Sequence, residues 1–141
     1  MSSITFTGDT LRQISLFQDL TGATAIDCLD SEEKVVLVVQ TGDVGRAIGK
    51  SGEHINRLKR LLKKEVQVVE YSPDPIVFIK NVFRNYGVRE VTLQDRGGKV
   101  HAVVSVSPAR KGRAIGREGR NLRLARDLIS RHHNVQSLVI A

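Results

Sequence analysis

Hydrophobic and polar positions along this chain run through one programme twice. In the first half, TLRQISLFQDLTG (10–22) places apolar residues at helical intervals. Thr10 and Gln13 stand at capping-box spacing, and Gly22 is a stop signal. Strands are predicted near 25–29 and at VVLVV (35–39), around the turn DSEE. A short helix, a glycine-rich loop, a helix through a basic stretch and a last strand, VQVVEY (66–71), complete the set. The second half keeps that order. DPIVFIKNVFRNYG offers Asp74 as N-cap, Pro75 at the first helical position and Gly87 as a stop. Its Ile76, Ile79, Val82, Phe83 and Tyr86 fall on one helical face. Strands follow near 88–94 and 100–106 around DRGG, and at VQSLVIA (135–141).

The two halves align at one offset. GRAIGKSG (45–52) returns as GRAIGREG (112–119), and the alignment pairs Ile55 with Leu122, Leu61 with Leu128 and Leu62 with Ile129. The joint is SPDP (72–75), where two prolines disfavour continuing either element. The expected fold is therefore α+β, in two tandem units of residues 1–72 and 73–141. Each reads helix, strand, strand, short helix, glycine loop, helix, strand. A unit of about 70 residues has a small, marginal core, so the two are expected to pack together with little freedom.

Charge sharpens this picture. The 141 residues carry a net +7, but residues 46–64 and 110–133 each carry +6, which leaves the rest at −5. Positive charge gathered beside two glycine loops suits a polyanion. The remaining composition, 40% hydrophobic and 26% charged, is that of a globular protein. No apolar run approaches the roughly 20 residues that cross a membrane. The opening MSSITFTGDT lacks the basic and apolar regions of a secretion leader, and the single cysteine, Cys28, excludes an internal disulfide. A reducing cytoplasm is expected, with Cys28 a core thiol.

The loops fail as nucleotide sites. A Walker loop ending at Gly49-Lys50-Ser51 needs glycine at 44, where Val44 stands, and the second copy has Arg117-Glu118 in place of Lys-Ser. Ala47 and Ala114 occupy the place of the first glycine of a Rossmann fingerprint. His54, His101, His132 and His133 show no recurring partner spacing, the adjacent pair reads as surface or helix-end residues, and Glu32-Glu33 read as solvated turn charges. No enzymatic activity, cofactor, metal or small-molecule substrate is expected.

The pattern I-G-x-x-G-x-x-[IL], present at Ile48–Ile55 and again at Ile115–Leu122, resembles the KH domain, and a hairpin before the loop with a strand after it resembles the type II arrangement. DPIVFIKN (74–81) resembles the segment between the two KH units of NusA transcription factors, and AIGREGRNLRLA (114–125) resembles their second unit. The likeness runs from about residue 4 to 140, and it is to the short archaeal form, without the polymerase-binding and S1-type domains of bacterial members. It implies binding of single-stranded RNA, a nascent transcript or ribosomal RNA, in termination or antitermination beside the RNA polymerase elongation complex. The contact set it implies is Arg46, Ile48, Gly49, Lys50, Ser51, Gly52, Ile55 and Lys59 in the first unit. In the second it is Arg113, Ile115, Gly116, Arg117, Glu118, Gly119, Arg120, Leu122 and Arg123. Shallow glycine turns admit a nucleic-acid backbone, and helix N-termini favour its phosphates. Ile48, Ile55, Ile115 and Leu122 serve either as core or as a base-lining groove. Glu118 is expected to weaken or reorient the second grip. The alternatives are a type II KH protein of ribosome assembly or the small subunit, and an adaptor that binds protein in place of RNA.

Small cores joined through Pro73 and Pro75 predict one cooperative thermal transition for the intact protein, with residues 1–72 or 73–141 alone much less stable. Calorimetry showing two transitions, or halves as stable as the whole, would establish independent units.

Overall fold

Each valine-rich run becomes the middle strand of a three-stranded sheet. The computed structural model describes residues 7–141, and the chain divides into two units between Tyr71 and Ser72. Residues 1–6, on which the absence of a leader was partly read, lie outside the described residues.

In the first unit, α1 (Gly8–Thr21) leads into β1 (Ala25–Asp30) and β2 (Lys34–Val39), an antiparallel pair. β3 (Glu65–Glu70) lies parallel to β2 on its other side. A parallel neighbour cannot be reached by a tight turn, so α2 (Val44–Ile48) and α3 (Glu53–Leu62) fill the crossover. Phe17, Cys28, Val35, Leu37, Val39, Ala47, Leu58 and Val66 make the core. Val36, Val38 and Val69, on the opposite face of the sheet, are buried too. Burial on both faces explains why VVLVV is a continuous apolar run and not an alternating one. Cys28 is the expected core thiol, 3.4 Å from Gln13 Oε1.

The second unit repeats this with α4 (Pro75–Val82), β4 (Val88–Arg96), β5 (Lys99–Val106), α5 (Lys111–Ile115), α6 (Arg120–His132) and β6 (Ser137–Ile140). β5 is central, antiparallel to β4 and parallel to β6. Here the burial alternates. Ala102, Val104 and Val106 are buried, whereas His101, Val103 and Ser105 are only half-buried.

Several local expectations change. α1 is capped by Thr7, whose hydroxyl accepts the Thr10 amide at 3.2 Å, so the capping box proposed for Thr10 and Gln13 does not form. Thr10 lies inside the helix and donates its hydroxyl back to Thr7 O. Asp74 and Pro75 start α4 as expected, with the Ile76 amide donating to Asp74 Oδ1. The helix stops at Val82, and a 3₁₀ turn (Arg84–Tyr86) carries the chain to Gly87 at φ +67°. Phe78, Ile79, Val82 and Phe83 are buried, while Ile76 and Tyr86, expected on the same face, are half-exposed. β4 extends through Arg96, which narrows the DRGG turn to Gly97 and Gly98, both at positive φ as a two-residue hairpin requires. His132 and His133 close α6 with their rings against Phe78, and His133 Nε2 donates to Ser72 O at 2.9 Å. Among the described residues, no helix is long and apolar enough to cross a membrane.

The repeat pairing also breaks at one core position. Leu128 is buried at 1% exposure, but its counterpart Leu61 is 53% exposed. α3 ends at Leu62 with Lys63 in a left-handed conformation, while α6 runs on to His132. Leu58, fully buried, anchors α3 in its place. Leu58→Ala is therefore expected to cost about 2–5 kcal/mol in urea denaturation, against about 0.5 kcal/mol or less for Leu61→Ala. The reverse ranking would contradict this packing.

Candidate nucleic-acid interface

Two five-residue helices carry the loops. α2 and α5 both contain Gly-Arg-Ala-Ile, and the alanines, Ala47 and Ala114, are fully buried beneath them. Each helix closes on a glycine amide. Gly49 N donates to Gly45 O and Gly116 N to Gly112 O, both at 2.9 Å. The first glycine of the earlier motif, which has no place in a phosphate loop of the Walker type, thus serves as the acceptor that ends the helix.

The turn that follows is the same in both copies. Gly49 lies at φ +77°, ψ 171° and Gly116 at φ +79°, ψ 167°, a region open essentially only to glycine. Ser51 and Glu118 are left-handed at φ +55° and +57°, as are Gly52 and Gly119 at +74° and +72°. Gly52 N donates back to Gly49 O at 3.2 Å, and Gly119 N to Gly116 O at 3.0 Å. The amides of Glu53 and Arg120 bond Lys50 O and Arg117 O. The turn itself thus uses the Gly52, Gly119, Glu53 and Arg120 amides. No side chain caps α3 or α6, so the rest of their first-turn donors are available to an anionic acceptor.

The two glycines of each loop are needed for different reasons. A Cβ on Gly49 would lie 2.8 Å from the His54 ring, and one on Gly116 would lie 2.8 Å from the Asn121 amide. A Cβ on Gly52 would meet nothing nearer than Asn56 Nδ2 at 3.8 Å, and one on Gly119 only the mobile end of Arg123 at 3.3 Å. The first glycine is held by crowding from within. The second is held by its backbone angle, with open space outside Gly52 and the Arg123 guanidinium close to Gly119.

The proposed contact residues divide into three groups. Lys50 and Arg117 are exposed at the turn and form no ion pair among the described residues, and Ser51 is exposed beside Lys50. Ile48, Ile55, Ile115 and Leu122 are half-buried around the loops. Of the remaining basic residues, Arg46, Lys59, Arg120 and Arg123 are engaged. Arg46 donates to Gly22 O, the C-cap of α1, at 3.3 Å. Lys59 sits two turns along α3, paired with Glu65 at 3.2 Å. Arg123 donates to Glu118 O at 2.6 Å, and Arg120 pairs with the Glu118 carboxylate at 3.6 Å. Arg113 lies beside Tyr86, whose hydroxyl is pushed above its ordinary range by burial, against the opposing effects of Arg113 and a bond from Asn121.

His54 and Asn121 also bond across the loops, contacts that the sequence reading does not anticipate. His54 Nδ1 bonds Arg46 O at 2.9 Å, and Asn121 Nδ2 donates to Ala114 O at 2.7 Å. The available signal was their shared register in the repeat, two positions after the second loop glycine.

A family model described as KH domain matches residues 12–85, and one described as NusA-like second KH domain matches residues 75–140. A probable transcription termination protein NusA from Thermoplasma acidophilum is 31% identical over 99% of this chain and 97% of its own length. The chain belongs to the NusA family. A NusA of the same description from Halococcus morrhuae is 34% identical, covering 98% of this chain and 99% of that one. The crystal structure of APE1850 matches with a TM-score of 0.75 and 37% identity, over 96% of this chain and all of that one. The fold is accordingly that of two tandem KH domains of the NusA type.

The different constraints on the loop glycines are testable. Gly49→Ala is expected to lose about 1–3 kcal/mol from its backbone region alone, with the His54 clash added. Gly52→Asn keeps a left-handed conformation that asparagine tolerates and should cost about 1 kcal/mol or less. Thermal melts that rank the two substitutions equally would argue against the distinction.

Proposed function

We propose that this NusA-family chain binds single-stranded RNA through both glycine turns and acts in transcription termination or antitermination. The supporting observation is the duplicated turn. Two loops of unlike side chains, Lys-Ser and Arg-Glu, share backbone angles to within a few degrees, and each stands at the N-terminus of a basic helix. A backbone conserved within one chain while its side chains differ suits a ligand that is itself gripped by its backbone. Phosphate accepts from helix amides and from a nearby cation, and an open glycine face permits the approach. A splayed single strand presents phosphate and base edges together, with the half-buried Ile48, Ile55, Ile115 and Leu122 as apolar flanks for the bases. The RNA is a nascent transcript or ribosomal RNA, and the RNA polymerase elongation complex is the setting in which it is met. Binding, without chemistry on the RNA, is the whole activity in this reading.

Lys50→Asp with Ser51→Asp tests it. Ser51 is left-handed, a conformation aspartate accepts readily, and neither side chain is buried, so the melt should shift by about 0.5 kcal/mol or less. Affinity for a short unstructured RNA, read by fluorescence anisotropy, should fall roughly 30- to 150-fold, the equivalent of about 2–3 kcal/mol. Arg117→Asp in the second loop should cost less. With about three phosphates neutralised per unit, the log–log salt slope of the wild type should be roughly −4. A preference for duplex or a slope near zero would reject the proposal, and unchanged affinity in the first variant would replace it with a protein-binding adaptor.

A further inference from the structure

His54 and Asn121 occupy one position in the two units, and their chemistry there is narrower than their identities suggest. Imidazole and carboxamide differ in size, aromaticity and charge. What they share is an N–H two bonds from Cβ, on Nδ1 of histidine and Nδ2 of asparagine. Each of these nitrogens meets a backbone carbonyl in the last turn of the preceding short helix, Arg46 O at 2.9 Å and Ala114 O at 2.7 Å. A carbonyl only accepts, so His54 Nδ1 carries the proton. Carbonyls at a helix C-terminus have no partner within the helix, and here a side chain from beyond the loop supplies one.

We infer that His54 and Asn121 are positioning residues, latches that hold the G-x-x-G turn in its ligand-ready shape by tying the start of one helix to the end of the one before. The inference rests on the RNA-binding reading for its purpose, but its geometry stands apart. Each latch spans its whole loop, from Arg46 to His54 and from Ala114 to Asn121. A Cβ on the first loop glycine would lie 2.8 Å from the His54 ring in the first unit, and 2.8 Å from the Asn121 backbone nitrogen and 2.9 Å from its Cβ in the second. In the first unit latch and glycine therefore interlock, since Gly49 leaves the room that the His54 ring fills. A loop ordered in advance does not have to be ordered by its ligand, and affinity gains accordingly.

The test uses the full chain and four variants: His54→Ala, His54→Asn, Asn121→Asp, and Lys50→Asp with Ser51→Asp as reference. Asn121→Asp keeps size and shape but turns the donor into an acceptor facing a carbonyl. Two quantities are read, amide hydrogen exchange across residues 49–53 and 116–120 by NMR, and anisotropy on one short unstructured RNA. His54→Ala should speed exchange in the first loop and weaken RNA binding about 2- to 10-fold, the worth of one hydrogen bond. His54→Asn, which borrows the latch of the second unit, should restore both to within about twofold on the same scale. Asn121→Asp should loosen the second loop alone. Wild-type exchange rates in His54→Ala and Asn121→Asp, or failure of His54→Asn to restore what alanine loses, would overturn the latch even if the reference variant no longer binds RNA. Faster exchange restored by asparagine supports the latch. If the reference variant then binds RNA as the wild type does, the RNA reading fails and the latch remains.

Discussion

A helix must end and another begin within four residues, and each unit of this protein is arranged around that constraint. The solution is one 3₁₀ turn bounded by two glycines, the first in a backbone region closed to other residues and the second left-handed. Such a turn has no stability of its own, so the surroundings have to define it. Ala47 and Ala114 seat the short helices in the core, and Leu58 and Leu128 seat the long ones. The parallel pairing of β2 with β3, and of β5 with β6, requires a crossover long enough to hold both helices, and the turn sits between them. The sheet thereby fixes where the turn can be, and the glycines fix its shape.

Charge around the turn is divided between scaffold and ligand. Seven basic residues crowd the stretch 46–64, yet Arg46 is bonded to the end of α1 and Lys59 to Glu65. They still contribute to the field that draws a polyanion in, because a field depends on position and not on pairing alone. On the proposed reading, direct grip falls to fewer groups, chiefly Lys50 in one turn and Arg117 in the other. A concentrated net charge is thus a better guide to what approaches the surface than to which side chains touch it.

Fold order was legible from the repeat, since hydrophobic period and stop signals recur in both halves and tolerate the few residues by which boundaries move. Gly22, Asp74, Pro75 and Gly87 acted locally and behaved as local signals do. What was not legible depended on partners distant in sequence or on small differences of length. Thr7 replaced Thr10 as the cap because a helix start is decided by which hydroxyl reaches an unpaired amide. Leu61 and Leu128 share a place in the repeat but not an environment, and α3 is three residues shorter than α6, which no pairing of equivalent residues records. His54 was dismissed for lacking a side-chain partner, when its partner is a backbone carbonyl eight residues back. Backbone acceptors leave no mark in a sequence, and a polar residue that uses one looks idle.

The second turn shows how far a duplicated site can diverge while its backbone does not. Its third position must be left-handed, a demand met by Ser51 in one copy and Glu118 in the other. Glutamate there adds a carboxylate where a phosphate would approach, but the carboxylate does not act alone. Arg120 pairs with it and Arg123 holds its carbonyl, so two guanidiniums of the second unit are occupied before any ligand arrives. On the proposed RNA reading, a phosphate entering this turn meets Arg117 with the Glu118–Arg120 pair beside it, while one entering the first turn meets Lys50 with no carboxylate inside the turn. Counting charges would make the two sites differ by a single acid. On that reading the geometry separates them further, since the acid of the second turn is already paired with Arg120 and leaves Arg117 as the cation that faces a ligand.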